Sequence, residues 1–227
     1  MTTDTIITID GPAAAGKSTL ARELARSLGW SFLDTGAIYR AVALVAMEKG
    51  ITVADPVVLE DFVKSLDLKV ELSADKSRIF LGERELTSLI RTEEVSKAAS
   101  QLAGVPELRR ALSGLQLSLG EKGRLVTEGR DQGTAIFPKA RLKFFLTASN
   151  EARARRRHLE LSEKDPSLNY GEVLEKLITR DRFDETREAT PLKMATDAVL
   201  IDTTELSLDE VLTIMEEKAR EVFSDVL

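Results

Sequence analysis

Residues 5–28 read TIITIDGPAAAGKSTLARELARSL, and the reading of this stretch decides the fold. Ile6, Ile7 and Ile9 form a short apolar run rich in β-branched side chains, the texture of a strand buried in a parallel sheet. Gly11-Pro12-Ala13-Ala14-Ala15-Gly16-Lys17-Ser18 follows it and fits G-x-x-x-x-G-K-[ST] without a mismatch. From Lys17 on, Leu20, Leu24, Ala25 and Leu28 recur at helical spacing, with Arg22, Glu23 and Arg26 between them. A strand, a glycine-bounded loop and a helix in that order predict a phosphate cradle.

The residue types suit that chemistry. Gly11, Gly16 and the small alanines leave the turn uncrowded, so backbone N–H groups can wrap a polyphosphate. The helix start adds unpaired N–H groups and a positive dipole end. Lys17 can reach the β- and γ-phosphates, and the Ser18 hydroxyl can ligate Mg2+. Gly11 to Ser18 are therefore a candidate polyphosphate cradle.

Outward from this stretch, Trp30–Leu33 reads as a second strand, with Trp30 packing at its edge, and a helix is expected from about Ala37 to Lys49, ending at Gly50. Arg40 near the start of that helix is a cation at the wrong end of the dipole, and something anionic should compensate it. Asp55-Pro56 opens a helix to about Leu66. Leu68, Val70 and Leu72 then alternate with Lys69, Glu71 and Ser73, and an antiparallel patch is expected through Arg78–Leu81 and Glu85-Leu86. Helices over Glu93–Ala103 and Pro106–Leu119 are broken at Gly104-Val105-Pro106. Further strands are read at Leu125–Thr127, Leu142–Leu146 and Ala198–Ile201, and helices at Asn150–Leu161 and Tyr170–Arg187. Ser207 and Glu210 form a capping box for the last helix.

Strands alternating with helices imply an α/β fold, a parallel sheet with helices on both faces and ligands at the carboxyl ends of its strands. Gly11, Asp34 and Glu128 directly follow strands, so their loops should share one cleft. Asp10 beside the loop could order Mg2+ waters or make a local turn hydrogen bond.

The 227 residues carry 43% hydrophobic and 31% charged side chains, a net charge of -6, no cysteine and one histidine, His158. A disulfide framework and a thiolate metal site are excluded. The acidic balance argues against a nucleic-acid polymer as partner. No signal peptide or membrane span is read, and a cytoplasmic monomer is expected. Local arginine clusters, Arg153, Arg155, Arg156 and Arg157, then Arg180, Arg182 and Arg187, suit a small anionic substrate. Guanidinium groups grip phosphate oxygens bidentately. Phosphoryl transfer must exclude water, so a closing lid is expected at about 150–170, where Arg153 and Arg157 are candidate catalytic arginines. His158 reads as a surface residue.

IDGPAAAGKST at 9–19, LDTGAIYR at 33–40, KAASQLAGVPELRRAL at 97–112, EGRDQGTAIFP at 128–138 and RDRFDETR at 180–187 together resemble the bacterial cytidylate kinases over essentially the whole chain. The resemblance implies one P-loop kinase unit over 1–227: a core of 1–62 and 123–227, an insert of 63–122 that binds the nucleoside monophosphate, and the lid. It implies ATP on Gly11–Thr19 with Mg2+ at Ser18, and CMP or dCMP as acceptor. The CMP phosphate would lie near Tyr39, Arg40, Arg130 and Arg187, with Lys17, Arg130 and Arg187 catalytic. Cytosine would lie near Ser100, Arg109 and Asp131, the ribose near Arg180 and Asp184, and Thr35 and Gly129 would border the acceptor. Asp131 and Asp184 are the two carboxylates between which base reading is to be assigned. Gln132 stands where the family is usually apolar. The rivals are another small-molecule P-loop kinase, although the Asp-Gly-Phe-Pro-Arg segment of adenylate kinase-like enzymes is absent, and a nucleotide switch protein, for which no Asn-Lys-x-Asp occurs.

Overall fold

A computed structural model of the chain describes residues 5–51, 56–163 and 165–226. Asp55, expected to open the third helix, and Lys164, within the expected lid, lie outside the described residues. In chain order the elements are β1 (Ile6–Asp10), α1 (Lys17–Leu28), β2 (Ser31–Asp34), α2 (Thr35–Glu48), α3 (Pro56–Ser65), β3 (Leu68–Leu72), β4 (Ser77–Leu81), β5 (Arg84–Glu85), α4 (Glu93–Leu102), α5 (Pro106–Gly120), β6 (Leu125–Gly129), β7 (Leu142–Thr147), α6 (Asn150–Ser162), α7 (Tyr170–Thr186), β8 (Val199–Asp202) and α8 (Leu208–Val222). A π-helical turn, Gln132–Ile136, lies between β6 and β7 where the sequence reading has no helix.

The strands β2-β6-β1-β7-β8 form one sheet in that spatial order, and every neighbouring pair is parallel. β1 is central because its apolar residues alternate between two cores. Ile6 joins Leu33 and Leu125 on one face, under α2, α4 and α5. Ile7 and Ile9 join Phe32 and Val126 on the other, under α1 and α8. Burial on both faces is what a β-branched run with no polar alternation requires. Trp30 precedes β2 and meets Phe223 edge-on, with ring centroids 4.9 Å apart, and so closes the α8 side.

The antiparallel sheet β3-β4-β5 packs against the end of β2. Ser77 joins the two sheets, its hydroxyl accepting from the Asp34 N–H (2.9 Å) and donating to the Phe32 carbonyl (2.8 Å). α2 begins two residues before the expected Ala37, because the Asp34 side chain caps it by accepting from the Ala37 N–H at 2.9 Å. The Ser207–Glu210 capping box of α8 is formed in both directions. Among the described residues no helix is long and apolar enough to cross a membrane.

Candidate active site

The loop Gly11–Gly16 runs from the carboxyl end of β1 into α1. At Gly11 a Cβ would lie 2.1 Å from the Leu146 carbonyl oxygen, so β7 admits only glycine there. Gly16 (φ 88) and Ala14 (φ 57) take left-handed conformations that curl the loop. Lys17 is buried and its Nζ donates to the Pro12 carbonyl at 2.6 Å. Burial, with Arg130 nearby, pushes its ammonium down to about 7. The Ser18 hydroxyl donates to Glu128 Oε1 at 2.6 Å.

Three carboxylates stand at neighbouring strand ends. β2 and β6 pair Asp34 with Glu128, and β1 and β6 pair Asp10 with Gly129. Asp10 makes no local turn bond. Its two oxygens accept from the Gln132 N–H (2.9 Å) and the Gly133 N–H (2.7 Å), which clamps the loop after β6. Burial raises the Asp10 carboxyl to about 6 against those two hydrogen bonds. Asp34 supplies the anion that Arg40 needs, at 2.9 Å, and also pairs with Arg91 at 3.1 Å. Burial raises the Asp34 carboxyl, but Arg40 and Arg91 outweigh it and hold it below the usual range. Glu48, at the far end of α2, pairs with Arg84 at 2.7 Å. Burial and the adjacent Asp34 raise the Glu128 carboxyl.

Across the cleft, Arg109 and Asp131 form a buried ion pair, and the Arg109 guanidinium lies 5.4 Å from the centre of the Tyr39 ring. Asp184 accepts from Arg130 Nε at 2.8 Å and from Arg187 Nη1 at 3.4 Å. Arg187 also donates to the Thr190 carbonyl at 3.1 and 2.9 Å. Burial, reinforced by Arg130, pushes Arg180 down to about 10. Thr35 donates to the Glu128 carbonyl at 2.8 Å, and a Cβ at Gly129 would lie 2.9 Å from the Thr35 hydroxyl, so this close approach leaves no room for a side chain at 129. Ser100 is half-buried on α4 and, among the described residues, hydrogen-bonds neither Arg109 nor Asp131. The buried Nε atoms of Arg40, Arg109 and Arg180 and the Tyr39 hydroxyl lack protein partners. Burial raises that hydroxyl to about 12, with Arg109 opposing.

α6 spreads its four arginines around its circumference. Arg153 is buried and fully engaged: it donates to the carbonyls of Ala148 and Ala13, both at 3.0 Å, to Asn150 Oδ1 at 2.5 Å, and pairs with Asp181. Asp181 in turn accepts from the Ala13 N–H at 3.0 Å, so the couple grips the loop backbone. Arg156 donates to the Thr203 hydroxyl at 2.9 Å and to its carbonyl. Arg155 is exposed. Arg157 pairs with Glu160 at 2.8 Å and lies close enough to Arg180 to depress it. His158 is half-buried, its ring nitrogen 2.9 Å from the Leu168 carbonyl, and ties α6 to the segment before α7. The sequence reading brought the Asp34 and Glu128 loops to the cleft without giving either side chain a role, and it missed Arg91 and Asp181 as members of the site. Three of these four are carboxylates at a strand end or beside Arg180 in RDRFDETR, and that position was the available signal.

The sequence profile described as Cytidylate kinase matches residues 7–221. A cytidylate kinase of Carboxydothermus hydrogenoformans is 45% identical over 205 residues, covering 90% of this chain and 92% of that protein. One of Exiguobacterium sp. is 46% identical over 216 residues, covering 95% of this chain and 96% of that protein. A solved structure of an uncharacterized protein from Eubacterium ventriosum aligns with 96% of this chain and 99% of its own at a TM-score of 0.51 and 9% identity, a likeness of fold alone. With the profile spanning nearly the whole length and relatives this similar end to end, the chain belongs to the cytidylate kinase family.

Proposed function

We propose that the chain transfers the γ-phosphoryl group of ATP to CMP or dCMP, giving ADP and the nucleoside diphosphate. The observation that carries this reading is the facing of two unlike anion sites at the carboxyl edge of one sheet. On one side stands the glycine loop with Lys17. On the other stand buried arginines whose Nε atoms have no protein partner. Buried donors are rarely left unpaired, so a ligand that brings several oxygen acceptors completes them.

In this reading Gly11 to Thr19 hold the ATP phosphates. Entry of the phosphates turns Lys17 from its bond to Pro12 toward them and favours its charged form. Arg40, Arg130 and Arg187, with the Tyr39 hydroxyl, hold the acceptor phosphate. Lys17, Arg130 and Arg187 balance the charge that spreads over the transferring group. Arg109 faces N3 and O2 of cytosine and Asp131 its amino group, with Ser100 beside them, while Arg180 and Asp184 border the ribose. Residues 63–122 act as the acceptor-binding insert, and 150–170 closes over ATP, with Arg157, which lies near Arg180, as its catalytic arginine. Arg153 acts through the loop backbone that it grips. The enzyme acts as a cytoplasmic monomer.

Mg2+ fits the oxygen chemistry beside the loop. Ser18 would hold it, with Glu128 and Asp10 placed to receive its waters, because Mg2+ retains several waters and binds through few protein oxygens plus phosphates. Held there, it would supply positive charge against the phosphate oxygens.

The test is ADP formation with CMP, dCMP, UMP, AMP or no acceptor, with the product identified by chromatography. CMP should give CDP and ADP in equal amounts. Preference for AMP, phosphorylation of a hydroxyl compound, or ATP hydrolysis without acceptor would each replace this reading.

A further inference from the structure

Gln132 and Gln116 are each 1% exposed, yet neither belongs to the phosphate or acceptor contacts described above. Gln132 follows Asp131 directly, and Gln116 lies on α5 two turns beyond Arg109, on the same helical face. The loop and the helix therefore meet twice, once through the Arg109–Asp131 ion pair and once through these amides. Gln132 Nε2 donates to Gln116 Oε1 at 3.0 Å, and Gln132 Oε1 accepts from the Thr127 hydroxyl at 3.0 Å. Gln116 Nε2 turns back to the Leu112 carbonyl at 3.4 Å and its amide lies beside the Tyr39 hydroxyl, with no well-formed bond between them. The Gln132 backbone is held independently by Asp10.

We propose that the Gln132–Gln116 amide pair is a positioning device that sets the register of the β6 loop against α5, and thereby the geometry in which Asp131 and Arg109 read the acceptor base. An ion pair alone fixes a distance poorly, because a guanidinium slides and tilts on a carboxylate at little cost. A second buried bond one residue along the loop removes that freedom. Amides are suited to this role: they orient by donor and acceptor, add no charge beside the base, and lose their pairing if the loop shifts by about one residue. The inference rests on the acceptor reading given above.

The test compares the full-length wild type with Gln132→Met, Gln116→Met and the double variant, which keep volume while removing the amides. Measurements are Tm, kcat, KM for CMP and ATP, and the CMP-to-UMP ratio of kcat/KM. Either single variant should raise KM for CMP and lower the CMP-to-UMP ratio by roughly five- to tenfold, the effect of one lost buried hydrogen bond. The kcat and KM for ATP should stay within about twofold, because the phosphate sites are not displaced. Each single variant also strands a buried polar atom and should lose roughly 3–8 °C in Tm. The double variant strands only the Thr127 hydroxyl, where Gln132→Met alone also strands Gln116 Oε1, and should regain Tm relative to Gln132→Met without regaining base selectivity.

Loss of Tm with unchanged KM and base ratio would show a purely structural pair and overturn the proposal. Recovery of selectivity in the double variant would overturn it too, since apolar packing would then suffice. If Gln132→Met does not fold, Thr127→Val removes only the donor to Gln132 Oε1 and should move the same ratio in the same direction; an unmoved ratio would count against the proposal. Arg109→Met separates the two levels. If it leaves KM for CMP unchanged, the acceptor reading itself fails. If it raises KM while the amide variants do not, only the positioning role fails.

Discussion

Asp184→Asn tests the electrostatic design of the cleft most directly. Asp184 is 4% exposed and shares its two oxygens between Arg130 and Arg187, with Arg180 close by. The substitution removes the one carboxylate charge that Arg130, Arg180 and Arg187 share. Removing one partner of a buried ion pair costs about 3–5 kcal/mol. Asparagine keeps one oxygen for Arg130 Nε, so the lower figure applies, and in a chain of this size about 3 kcal/mol corresponds to a Tm loss of roughly 6–12 °C. Burial raises the Asp184 carboxyl, but Arg130, Arg180 and Arg187 outweigh it and hold it below 3.8. A carboxyl with a depressed folded-state pKa contributes stability above its unfolded value and loses it as the pH falls through the folded one. The Tm gap between wild type and variant should therefore stay level from about pH 7 to 5 and close only below about pH 4. Thermal unfolding across that range, with and without sulfate, measures it, and sulfate should raise the Tm of the variant more than that of the wild type. A gap under about 2 °C at neutral pH, or one that already narrows between about pH 7 and 5, would refute the reasoning.

Lys17→Ala should lower kcat at least roughly 10²-fold in steady-state assays, with Tm unchanged or slightly higher, since the ammonium is desolvated and bonded only to the Pro12 carbonyl. Arg153→Ala should destabilise the protein and raise KM for ATP, because Ala13 and Asp181 lose their partner, whereas Arg155→Ala on the exposed face should leave both within a factor of about two. Near-equal effects in unfolding and kinetic assays would remove the loop-gripping role of Arg153. Asp131→Ala should narrow the CMP-to-UMP preference about tenfold or more, as a lost hydrogen bond to a charged group does, while Asp184→Ala should act chiefly at the ribose; competition assays with CMP, dCMP and UMP would expose a reversed assignment.

The sequence by itself determined what depends on neighbours in the chain. The β-branched run Ile6–Ile9, the glycine-bounded loop and the helical spacing of Leu20, Leu24 and Leu28 are local patterns, and local sterics and periodicity suffice to read them. The same holds for the Ser207–Glu210 box, whose partners are three residues apart. Strand-to-loop order was enough to gather Gly11, Asp34 and Glu128 at one edge, because parallel strands must all end on the same side.

Tertiary structure decided which charges meet. Ser18 and Glu128 are 110 residues apart, Arg153 and Asp181 are 28, and Asp10 and Gln132 are 122. No periodicity couples such positions; the strand order β2-β6-β1-β7-β8 does, by bringing the ends of β1, β2 and β6 side by side. The four arginines of α6 show the same division. Their spacing already required that they point in different directions, but only the packing of α6 against the loop, α7 and the end of β8 buries Arg153, ties Arg156 to Thr203 and leaves Arg155 in water. A helix's own geometry sets the angles between its side chains, whereas the direction in which the whole set faces is set by what the helix packs against.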